Sequence, residues 1–569
     1  MPTVTYDEYR VPKEHYLAIP EKQSCYEYLQ ECYKKLEKDI GDYTAFVIPV
    51  ADQTSETKMS KLFADVEKLA SYLAFKGLKK GDVYTVFLPT CSHAFTAFYA
   101  LNKLGVIANF VHPLTPPQAL MQIMQLTKSN GLFILDIAAA PFASVIEQYP
   151  TIVCSVSDYC DGTAYKYAVY NEMQNAKVPE YDTVTRFKDI MGMNLEPVPT
   201  VKGCGEDVGF YLHGGGTTGK SKTVIHTSKV FNSLAYKLYL LDQPHDYKTA
   251  HALCVLPCFH AFGLGGSMHY ALCNAYKPIV MPKFDAVQAN ELIRKFNVIE
   301  ILGVPKMFQK MIDCDNFENE GTKNLAMCFA GGDIVSDALL DRFDGLMKKH
   351  GAAARLGRGY GLTEMCGVMT SNGGDHYKRD SAGYPLAGVT IEIWDDNGNK
   401  LPAGESGEIV ARGDLMMQGY LPDGVVADDG IYVDENGTKW IRTGDVGYLD
   451  EDGFVYFTSR KKRIIIIAGY NIYPSTIEEK VDRLDYISEV CAVQGYDETT
   501  GKPLVKLCVS FAEQVEDKQA ALEELKKFCH ENIEAYACPR KFEAFDLLPR
   551  TKMDKIDFMK LSDKAMATV

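Results

Sequence analysis

Residues 211–224 combine the residue types that hold a phosphate group, and their letters are YLHGGGTTGKSKTV. Glycines let the backbone bend and bring N–H groups against phosphate oxygens, while Thr217, Thr218 and Lys222 add hydroxyl and ammonium donors. The flanking segments GFYL and TVIH are apolar, which a flexible surface linker would not require. We therefore predict an anion-binding loop.

Residues 214–221 also match the pattern GxxxxGKS of P-loop nucleotide hydrolases. In such enzymes a helix opens at the lysine and serine, here Lys220 and Ser221. The residues at 223–227 are largely β-branched and predict a strand instead. No apolar strand ending in a metal-binding aspartate follows at a suitable distance. A P-loop ATPase, which would release ADP and phosphate, therefore remains only as a competing interpretation.

Two further segments carry groups suited to a magnesium-bound nucleotide. Residues 329–333 read FAGGD and residues 359–364 read GYGLTE. The hard carboxylate oxygens of Glu364 suit Mg²⁺, which neutralises charge on phosphates. Taken alone, GYGLTE could be a turn before a helix, and His260, in the segment LPCFHAFGL, could be a core histidine. Whether these segments belong to a nucleotide site depends on whether the rest of the sequence contains other motifs of such a site.

The order of these segments resembles the adenylate-forming superfamily of acyl-CoA synthetases, adenylation domains and luciferases. The signature loop of that superfamily reads roughly S/T-S/G-G-S/T-T-G-x-P-K-G. Residues 214–223 read GGGTTGKSKT, with Ser221 where proline is usual and Thr223 where glycine is usual. The resemblance implies that the loop binds ATP through Gly215, Gly216, Thr217, Thr218, Gly219 and Lys222.

The same resemblance implies roles around the nucleotide and the acid. His260 would lie near the carboxylate being activated, and Glu364 would be the Mg²⁺ ligand. Tyr360 would stack on adenine, and Thr363 would reach the α-phosphate. The remaining nucleotide contacts that the resemblance implies are Gly332, Asp333 and Gly361.

Segments nearer the C terminus match the superfamily in the same order. Asp445, in WIRTGD, resembles the carboxylate that accepts both ribose hydroxyls, and Arg460 resembles the second ribose contact. Each has an ordinary alternative, because aspartate is common in turns and Arg460 lies in a basic run. Their spacing after the GE and GY pairs at 407–408 and 419–420 favours the ribose roles.

The last segments resemble the superfamily's moving parts. Lys462 falls at the hinge about which a small C-terminal domain swings. Residues 469–474, GYNIYP, resemble the segment that approaches coenzyme A, with Gly469, Tyr470 and Asn471 as contacts. Lys555, in LPRTKMDKI, resembles the adenylation lysine, and Asp554 stands where glycine is usual.

The resemblance implies a two-step reaction. A carboxylate oxygen attacks the α-phosphorus of MgATP to give an acyl-adenylate and pyrophosphate, and the thiol of coenzyme A then attacks the acyl carbonyl and releases AMP. Both reactants of the first step are anionic, so catalysis is mainly positioning and charge neutralisation. The catalytic residues implied are Lys555, His260, Thr218 and Glu364, and the cofactors are ATP, Mg²⁺ and coenzyme A.

Alternating helices and strands must position these loops. Apolar residues recur at helical spacing over 62–75 and 89–104, and β-rich runs occupy 83–88, 106–111, 131–136, 251–256, 278–281 and 299–304. This alternation predicts an α/β fold with mainly parallel sheets. After about residue 383, short strands and tight turns predict a β-rich subdomain.

The length of 569 residues exceeds what one core usually supports. We predict a large N-terminal AMP-binding domain of layered α/β sheets with the β-rich subdomain, residues 1–461. A small, mobile α+β C-terminal lid domain follows at residues 462–569.

Charge and composition restrict the partners. A net charge of −15 argues against nucleic acid, because phosphate binding needs clustered excess lysine and arginine. We expect neither a secretory leader nor a transmembrane segment, since no suitable apolar run occurs. The 16 scattered cysteines predict reduced thiols in the cytoplasm. Cys254 and Cys258, beside His251 and His260, are better explained as buried small residues than as metal ligands.

Substrate and acceptor stay open at this stage. Small residues in the acyl-pocket segments favour a fatty or aryl acid over acetate; they are Gly263, Gly265, Gly266, Gly303 and Gly331. The acceptor could instead be the thiol of a separate carrier protein, or the chain could be a degraded member that senses nucleotide or acyl groups. We expect a monomer or homodimer.

Overall fold

Continuous buried runs of β-branched and aromatic residues form the central strands of this chain, as parallel sheets covered on both faces require. The structure, a computed structural model, describes residues 21–50, 53–159, 178–214, 222–241, 246, 248–373, 376–421, 430–467, 470–497, 499–551 and 555–563. One unit comprises residues 1–335, 339–390 and 411–441, and a second comprises 336–338, 391–410 and 442–569. The division predicted at 461/462 stays a prediction.

The strands of the described residues are, in chain order, β1 Thr44–Val50, β2 Gln53–Lys58, β3 Val83–Phe87, β4 Ile107–Phe110, β5 Ser129–Leu135, β6 Thr151–Cys154, β7 Val184–Arg186, β8 Val208–Gly214, β9 Lys222–Thr227, β10 His251–Cys254, β11 Lys277–Val280, β12 Val298–Gly303, β13 Met327–Gly331, β14 Leu356–Tyr360, β15 Thr370–Ser371, β16 Tyr384–Pro385, β17 Val389–Trp394, β18 Gly407–Gly413, β19 Gly419–Tyr420, β20 Ile431–Val433, β21 Lys439–Leu449, β22 Val455–Arg460, β23 Ile465–Ile467, β24 Tyr470–Ile472, β25 Ile487–Tyr496, β26 Pro503–Phe511 and β27 Lys541–Phe545.

The α-helices of the same residues are α1 Cys25–Ile40, α2 Met59–Phe75, α3 Ser92–Lys103, α4 Pro117–Leu126, α5 Asp136–Ala139, α6 Ala143–Ile146, α7 Phe187–Gly192, α8 Ser228–Tyr239, α9 Tyr270–Cys273, α10 Ala286–Lys295, α11 Pro305–Asp313, α12 Asp337–His350, α13 Pro474–Val481, α14 Lys518–Asn532 and α15 Phe558–Leu561. A π-helical segment, Phe262–His269, precedes α9.

Two large sheets form the first unit. The order β19-β9-β8-β4-β3-β5-β6-β7 builds one, and its strands from β8 to β7 are parallel. The order β16-β15-β14-β13-β12-β10-β11-β1-β2 builds the other, which is parallel from β14 to β1. The predicted α/β class with mainly parallel sheets is therefore confirmed.

Helices cover these sheets. All 12 residues of α3 are buried, which requires protein on every side of that helix. Helices α10, α11 and α12 pack on one face of the nine-stranded sheet, where Ile301, Phe308 and Phe343 belong to one core. The predicted helix at 89–104 begins only at Ser92, because Cys91 is still extended, with φ −151° and ψ 168°.

Short strands follow residue 383, as predicted. Strands β17, β18, β21 and β20 lie in that order in one sheet, and β22 pairs with β21. In the second unit, β25, β26 and β27 form a separate sheet, and α13 and α14 bury Ile477, Val481 and Leu525 in a core of their own.

Candidate functional site

The predicted phosphate-binding loop is the connection of an antiparallel hairpin. Strands β8 and β9 place Gly214 opposite Lys222 and His213 opposite Thr223. Residues 215–221 lie outside the described residues, so the contacts of Gly215, Gly216, Thr217, Thr218 and Gly219 stay predictions. The chain continues after the loop as a strand, where a P-loop hydrolase has a helix. This geometry disfavours the P-loop interpretation.

A buried chain of polar side chains underlies this hairpin. Thr223 Oγ1 lies 3.1 Å from His213 Nδ1, and His213 Nε2 lies 2.7 Å from the amide oxygen of Asn109. Asn109 donates in turn to Thr85 Oγ1 at 3.0 Å. Burial lowers the pKa of His213 to about 4, so the ring is neutral, donates through Nε2 and accepts from Thr223. The unusual Thr223 thus ties the loop's base to the sheet.

Lys222, Tyr420 and Glu364 form one cluster beside the loop. Strand β19 pairs with β9 and sets Tyr420 opposite Val224. Lys222 Nζ lies 4.3 Å from the centre of the Tyr420 ring, within the range of a cation–π contact. The phenol of Tyr420 donates to Glu364 Oε1 at 2.6 Å, a charge-assisted hydrogen bond. The structure therefore brings two predicted site residues together through a tyrosine.

The carboxylate of Glu364 fits the predicted magnesium role. Glu364 is half-buried, and the bond from Tyr420 occupies one of roughly four acceptor positions of a carboxylate. Over the described ranges, no group of three or more His, Cys, Asp or Glu side chains could hold a metal ion together. One carboxylate suffices for Mg²⁺ when substrate phosphates supply other ligands. The ligand role of Glu364 remains a proposal.

His226 holds the segment that contains Thr363 and Glu364. Its Nε2 donates to the carbonyl oxygen of Thr363 at 2.7 Å. Burial lowers the pKa of His226 to about 4, and the ring is therefore neutral. The backbone N–H of Met417 donates to the carbonyl of Glu364 at 2.8 Å. Strand β9 and the segment before β19 thus hold the short helical turn Thr363–Met365 from two sides.

The predicted nucleotide contacts lie at the carboxyl ends of two neighbouring parallel strands. Gly331, at the end of β13, pairs with Gly359 in β14. Gly332 follows with a φ of 81°, a left-handed conformation that favours glycine, and Asp333 is exposed beyond it. Tyr360 ends β14. Ligands of open α/β sheets bind at this edge, and the contact of Tyr360 with adenine stays a prediction.

Gly361 is required by close packing. A Cβ atom at this position would lie 2.3 Å from the carbonyl oxygen of Gly367, too close for any side chain. The chain after Gly361 therefore turns tightly into the helical turn Thr363–Met365. This arrangement brings Tyr360, Gly361, Thr363 and Glu364 into one continuous segment of the site.

His260 lies in a cluster of aromatic rings in the first unit. Its ring centre is 4.8 Å from that of Phe259 and 6.4 Å from that of His112. Burial lowers the pKa of His112, so His112 adds no positive charge at neutral pH. A Cβ on Gly263 would lie 2.1 Å from the carbonyl oxygen of Pro257, which keeps the turn around His260 tight.

A cavity lies on the face of the nine-stranded sheet away from α10–α12. Its empty volume is about 580 Å³, including the opening to solvent. Apolar side chains dominate the wall, as in pockets for small organic ligands. The lining residues are Leu238, Leu241, Phe262, Tyr270, Glu300, Leu302, Met327, Phe329, Ala330, Gly331, Gly332, Gly359, Gly367, Val368, Thr370 and Ser371.

The glycines that we expected to make room for the acid act differently. Only Gly331 of the five lines this cavity. A Cβ on Gly265 would lie 2.9 Å from Leu234, and one on Gly303 would lie 3.0 Å from Phe308. These two glycines allow close packing of neighbouring side chains and do not create the space.

Asp445 and Arg460 lie directly opposite each other in the second unit. Strands β21 and β22 pair them, and Arg460 Nε lies 3.2 Å from Asp445 Oδ1. Asp445 is only 3% exposed, whereas the Arg460 side chain is 47% exposed. Thr443 Oγ1 accepts from the backbone N–H of Asp445 at 3.0 Å. The structure therefore pairs the two predicted ribose contacts across one hairpin.

Lys462 is exposed within a short helical turn, Lys461–Arg463, in the second unit. Beyond it, strands β23 and β24 form a hairpin with Ile466 opposite Asn471 and Ile467 opposite Tyr470. Gly469 lies outside the described residues. Pro474 is the first residue of α13, a position where its missing N–H costs nothing.

Lys555 is exposed on a second hairpin of the same unit. Arg550 pairs with Ile556, and the backbone N–H of Thr551 donates to the carbonyl of Lys555 at 2.7 Å. An ion pair between Arg550 and Glu489 ties this hairpin to β25. Asp554 lies outside the described residues.

Sequence reasoning missed three side chains of the first unit. It assigned no role to His226, Tyr420 or Glu300. His226 and Glu300 are both at most 2% exposed. Glu300 is the one ionisable residue in the otherwise apolar strand β12, and that pattern was an available signal.

Within the described ranges, no helix has the length and apolar character that crossing a membrane requires. All 15 cysteines of those ranges are unbonded thiols.

Comparison with known proteins identifies related sequences and folds. Residues 36–421 match the family of AMP-binding enzymes, and residues 476–555 match the AMP-binding enzyme C-terminal domain. A long-chain-fatty-acid–CoA ligase of Bacillus subtilis (strain 168) is 28% identical over 515 residues, which are 87% of this chain and 88% of that protein.

Solved structures share the fold at lower identity. The anthranilate CoA ligase AuaEII, in complex with anthranoyl-AMP, superposes with a TM-score of 0.77 at 18% identity, covering 95% of this chain and 97% of that one. The O-succinylbenzoate coenzyme A synthetase MenE of Bacillus subtilis, in complex with ATP and magnesium ion, gives a TM-score of 0.72 at 22% identity, covering 94% and 98%.

Proposed function

This chain belongs to the family of AMP-binding enzymes, and from that premise we propose that it converts a fatty or aryl acid into its coenzyme A thioester. It is an AMP-forming acid–thiol ligase, that is, an acyl-CoA synthetase. The cofactors and substrates of this class are ATP, Mg²⁺ and coenzyme A. The identity of the acid and the roles of individual residues are the proposal.

One observation carries the proposal. The apolar cavity shares Gly331, Gly332 and Gly359 with the two segments that we assign to the nucleotide. An acid whose apolar body fills the cavity would therefore present its carboxylate beside those segments. Orientation of this kind removes much of the entropic barrier to a reaction between two bound molecules.

In the first step, the acid oxygen forms a bond to the α-phosphorus while the bond from that phosphorus to the bridging oxygen of pyrophosphate breaks. Lys222 and Lys555 supply positive charge, and Thr363 with the loop threonines supplies hydrogen-bond donors. Glu364 would hold Mg²⁺, which would neutralise phosphate charge. Asp445 and Arg460 bind the ribose hydroxyls.

In the second step, the thiol sulfur of coenzyme A forms a bond to the acyl carbon, and the carbon–oxygen bond to AMP breaks. We assign the approach of coenzyme A to residues 469–474 and the hinge to Lys462. His260 lies close to the acyl carbonyl in this assignment.

The related proteins support the substrate class. The Bacillus relative is named for long-chain fatty acids, and AuaEII is named for anthranilate, an aryl acid. The wall formed by Leu238, Leu302, Met327 and Phe329 suits either class.

The test is pyrophosphate release from MgATP with a panel of fatty and aryl acids, with and without coenzyme A. We expect acid-dependent pyrophosphate together with AMP, and thioester only when coenzyme A is present. Lys555→Ala should lower the adenylation rate by about 10²- to 10³-fold. Lys560→Ala, which removes a nearby exposed lysine, should leave it unchanged.

Other outcomes identify the alternatives. Acyl-adenylate without thioester would favour a carrier-protein thiol as acceptor, which a phosphopantetheinyl carrier protein tests directly. ATP binding without turnover of any acid would favour a nucleotide or acyl sensor, and ADP as product would favour hydrolysis.

We place the reaction in the cytoplasm because the described cysteines are free thiols.

A further inference from the structure

A carboxylate lies in the wall of the apolar cavity. Glu300 belongs to β12, a central strand paired on one side with β10 and on the other with β13. The residue is 2% exposed and lines the cavity together with Leu302. Glu300 and Leu302 are two positions apart and therefore point to the same face of the sheet. Ile301, between them, packs into the core formed with α10–α12.

Strand register places Glu300 at the far end of the cavity. Glu300 pairs with Met327, and Gly331 follows four positions later in β13. At roughly 3.3 Å per residue, the distance along the strand is about 13 Å. Gly331 marks the end where the nucleotide segments lie. An acid bound with its carboxylate at that end would direct its opposite end toward Glu300.

Apolar side chains line the cavity wall near Glu300. Met327 and Phe329 line the same wall, and transfer of a carboxylate into apolar surroundings is unfavourable unless hydrogen bonds stabilise it. An acyl chain that fills the cavity removes water from this wall. A plain alkyl end would leave the carboxylate with less hydrogen bonding, whereas a hydroxyl would donate to it. Buried ionisable groups in clefts are candidates for functional roles.

We propose that Glu300 accepts a hydrogen bond from a hydroxyl group at the distal end of the substrate and so selects hydroxylated acids over their plain counterparts. This inference rests on the proposed function. A carboxylate has roughly four acceptor positions, so bonds to protein groups such as neighbouring side chains do not preclude one to the substrate. A site built to bind a hydroxyl discriminates strongly against the analogue without it.

The experiment measures kcat/KM for acid-dependent pyrophosphate release with matched pairs of acids. The pairs are saturated acids from octanoic to hexadecanoic with their ω-hydroxy counterparts, and cinnamic with para-hydroxycinnamic acid. We expect the hydroxylated member of the best pair to be favoured about ten- to hundred-fold in the wild type. Comparing acids on one enzyme makes this ratio independent of variant stability.

Two variants of Glu300 and one control variant test the role of this residue. Glu300→Leu should lower turnover of the hydroxylated acid and raise that of the plain acid, which reduces the ratio by at least about ten-fold. Glu300→Gln keeps an acceptor oxygen of similar shape and should retain part of the preference. Leu302→Met, on the same face, should alter both acids of a pair alike and leave the ratio unchanged. Thermal unfolding of each variant checks that it folds.

The outcomes separate this inference from the proposed function. Equal kcat/KM within every pair, together with an unchanged ratio in Glu300→Leu, overturns the inference and leaves the synthetase proposal intact. Absence of pyrophosphate with every acid overturns both. A preference for hydroxylated acids that Glu300→Leu abolishes and Leu302→Met does not supports the role of Glu300.

Discussion

The phenol of Tyr420 donates a hydrogen bond of 2.6 Å to Oε1 of Glu364, the carboxylate to which we assign Mg²⁺. Tyr420 belongs to β19 of one large sheet and Glu364 to the turn after β14 of the other, so this bond joins a strand of one sheet to a turn of the other within the first unit. The same ring receives Lys222 on its face. One tyrosine thus contacts both the carboxylate to which we assign Mg²⁺ and the lysine to which we assign the phosphate.

Tyr420→Phe removes the hydroxyl and keeps the ring beneath Lys222. We expect the Mg²⁺ concentration for half-maximal pyrophosphate release to rise, and kcat/KM to fall by about ten-fold or more, because a hydrogen bond to a charged group is lost. A magnesium titration of the adenylation rate measures both. Tyr432→Phe, which changes an exposed tyrosine, is the control. An unchanged magnesium dependence would contradict the orienting role.

Thr223→Val keeps the shape of the side chain and removes the donor to His213. His213 Nδ1 then lacks its hydrogen bond in a buried place, which should lower the free energy of unfolding by about 1–3 kcal/mol. Denaturant unfolding measures the loss, and the KM for ATP should rise because the loop's base loosens. Thr223→Ser retains the hydroxyl and should behave as wild type. If the valine and serine variants had the same free energy of unfolding and the same KM for ATP, the Thr223–His213 hydrogen bond would not hold the base of the loop.

Buried neutral histidines predict loss of stability in acid. Burial lowers the pKa of His213 and of His226 to about 4, below the ordinary value of 6.5. The unfolded chain therefore binds more protons between these values, and stability present above pH 6.5 is lost as the pH falls toward 4. His226→Gln should weaken this dependence of Tm on pH, whereas His530→Gln, on an exposed residue, should not. If the curves of Tm against pH for His226→Gln and the wild type were parallel, protonation of His226 would not be a cause of the loss of stability in acid.

Asp445→Asn tests the ribose assignment. Asp445 is buried and Arg460 largely solvated, so the variant leaves no buried positive charge. We expect the KM for ATP to rise about ten-fold or more with little change in Tm. Steady-state kinetics at saturating acid measure this effect. Glu451→Gln, an exposed carboxylate in the turn of the same hairpin, is the control, and an unchanged KM for ATP in Asp445→Asn would reject the assignment.

Lys462→Pro tests the hinge. Proline fixes φ near −65° and should hinder a change of backbone conformation in the turn Lys461–Arg463. We expect acyl-adenylate formation to persist while thioester formation falls by at least about ten-fold, as rapid-quench assays of the two steps would show. Lys462→Ala removes the side chain without restricting φ and should support both steps. Equal loss of both steps in the proline variant would argue against a hinge.

The sequence by itself determined the fold class, the order of the motifs and the family. Glycines, β-branched runs and helical periodicity are local signals, and they predicted the strand β9 after the phosphate loop. They also placed the two helices and six strands named from the sequence to within a few residues. The resemblance also predicted Asp445 and Arg460 as the two ribose contacts. The strand register of β21 and β22 then brought them to 3.2 Å.

Only the tertiary structure revealed the contacts between distant residues. Tyr420 meets Glu364, His226 meets Thr363, and Glu300 enters the cavity wall because sheet order and register place them there. Such contacts depend on which strands become neighbours, and local propensity does not specify this. The same reason explains the glycines near the cavity: sequence shows a missing side chain, but packing decides whether the space stays open or is filled by a neighbour.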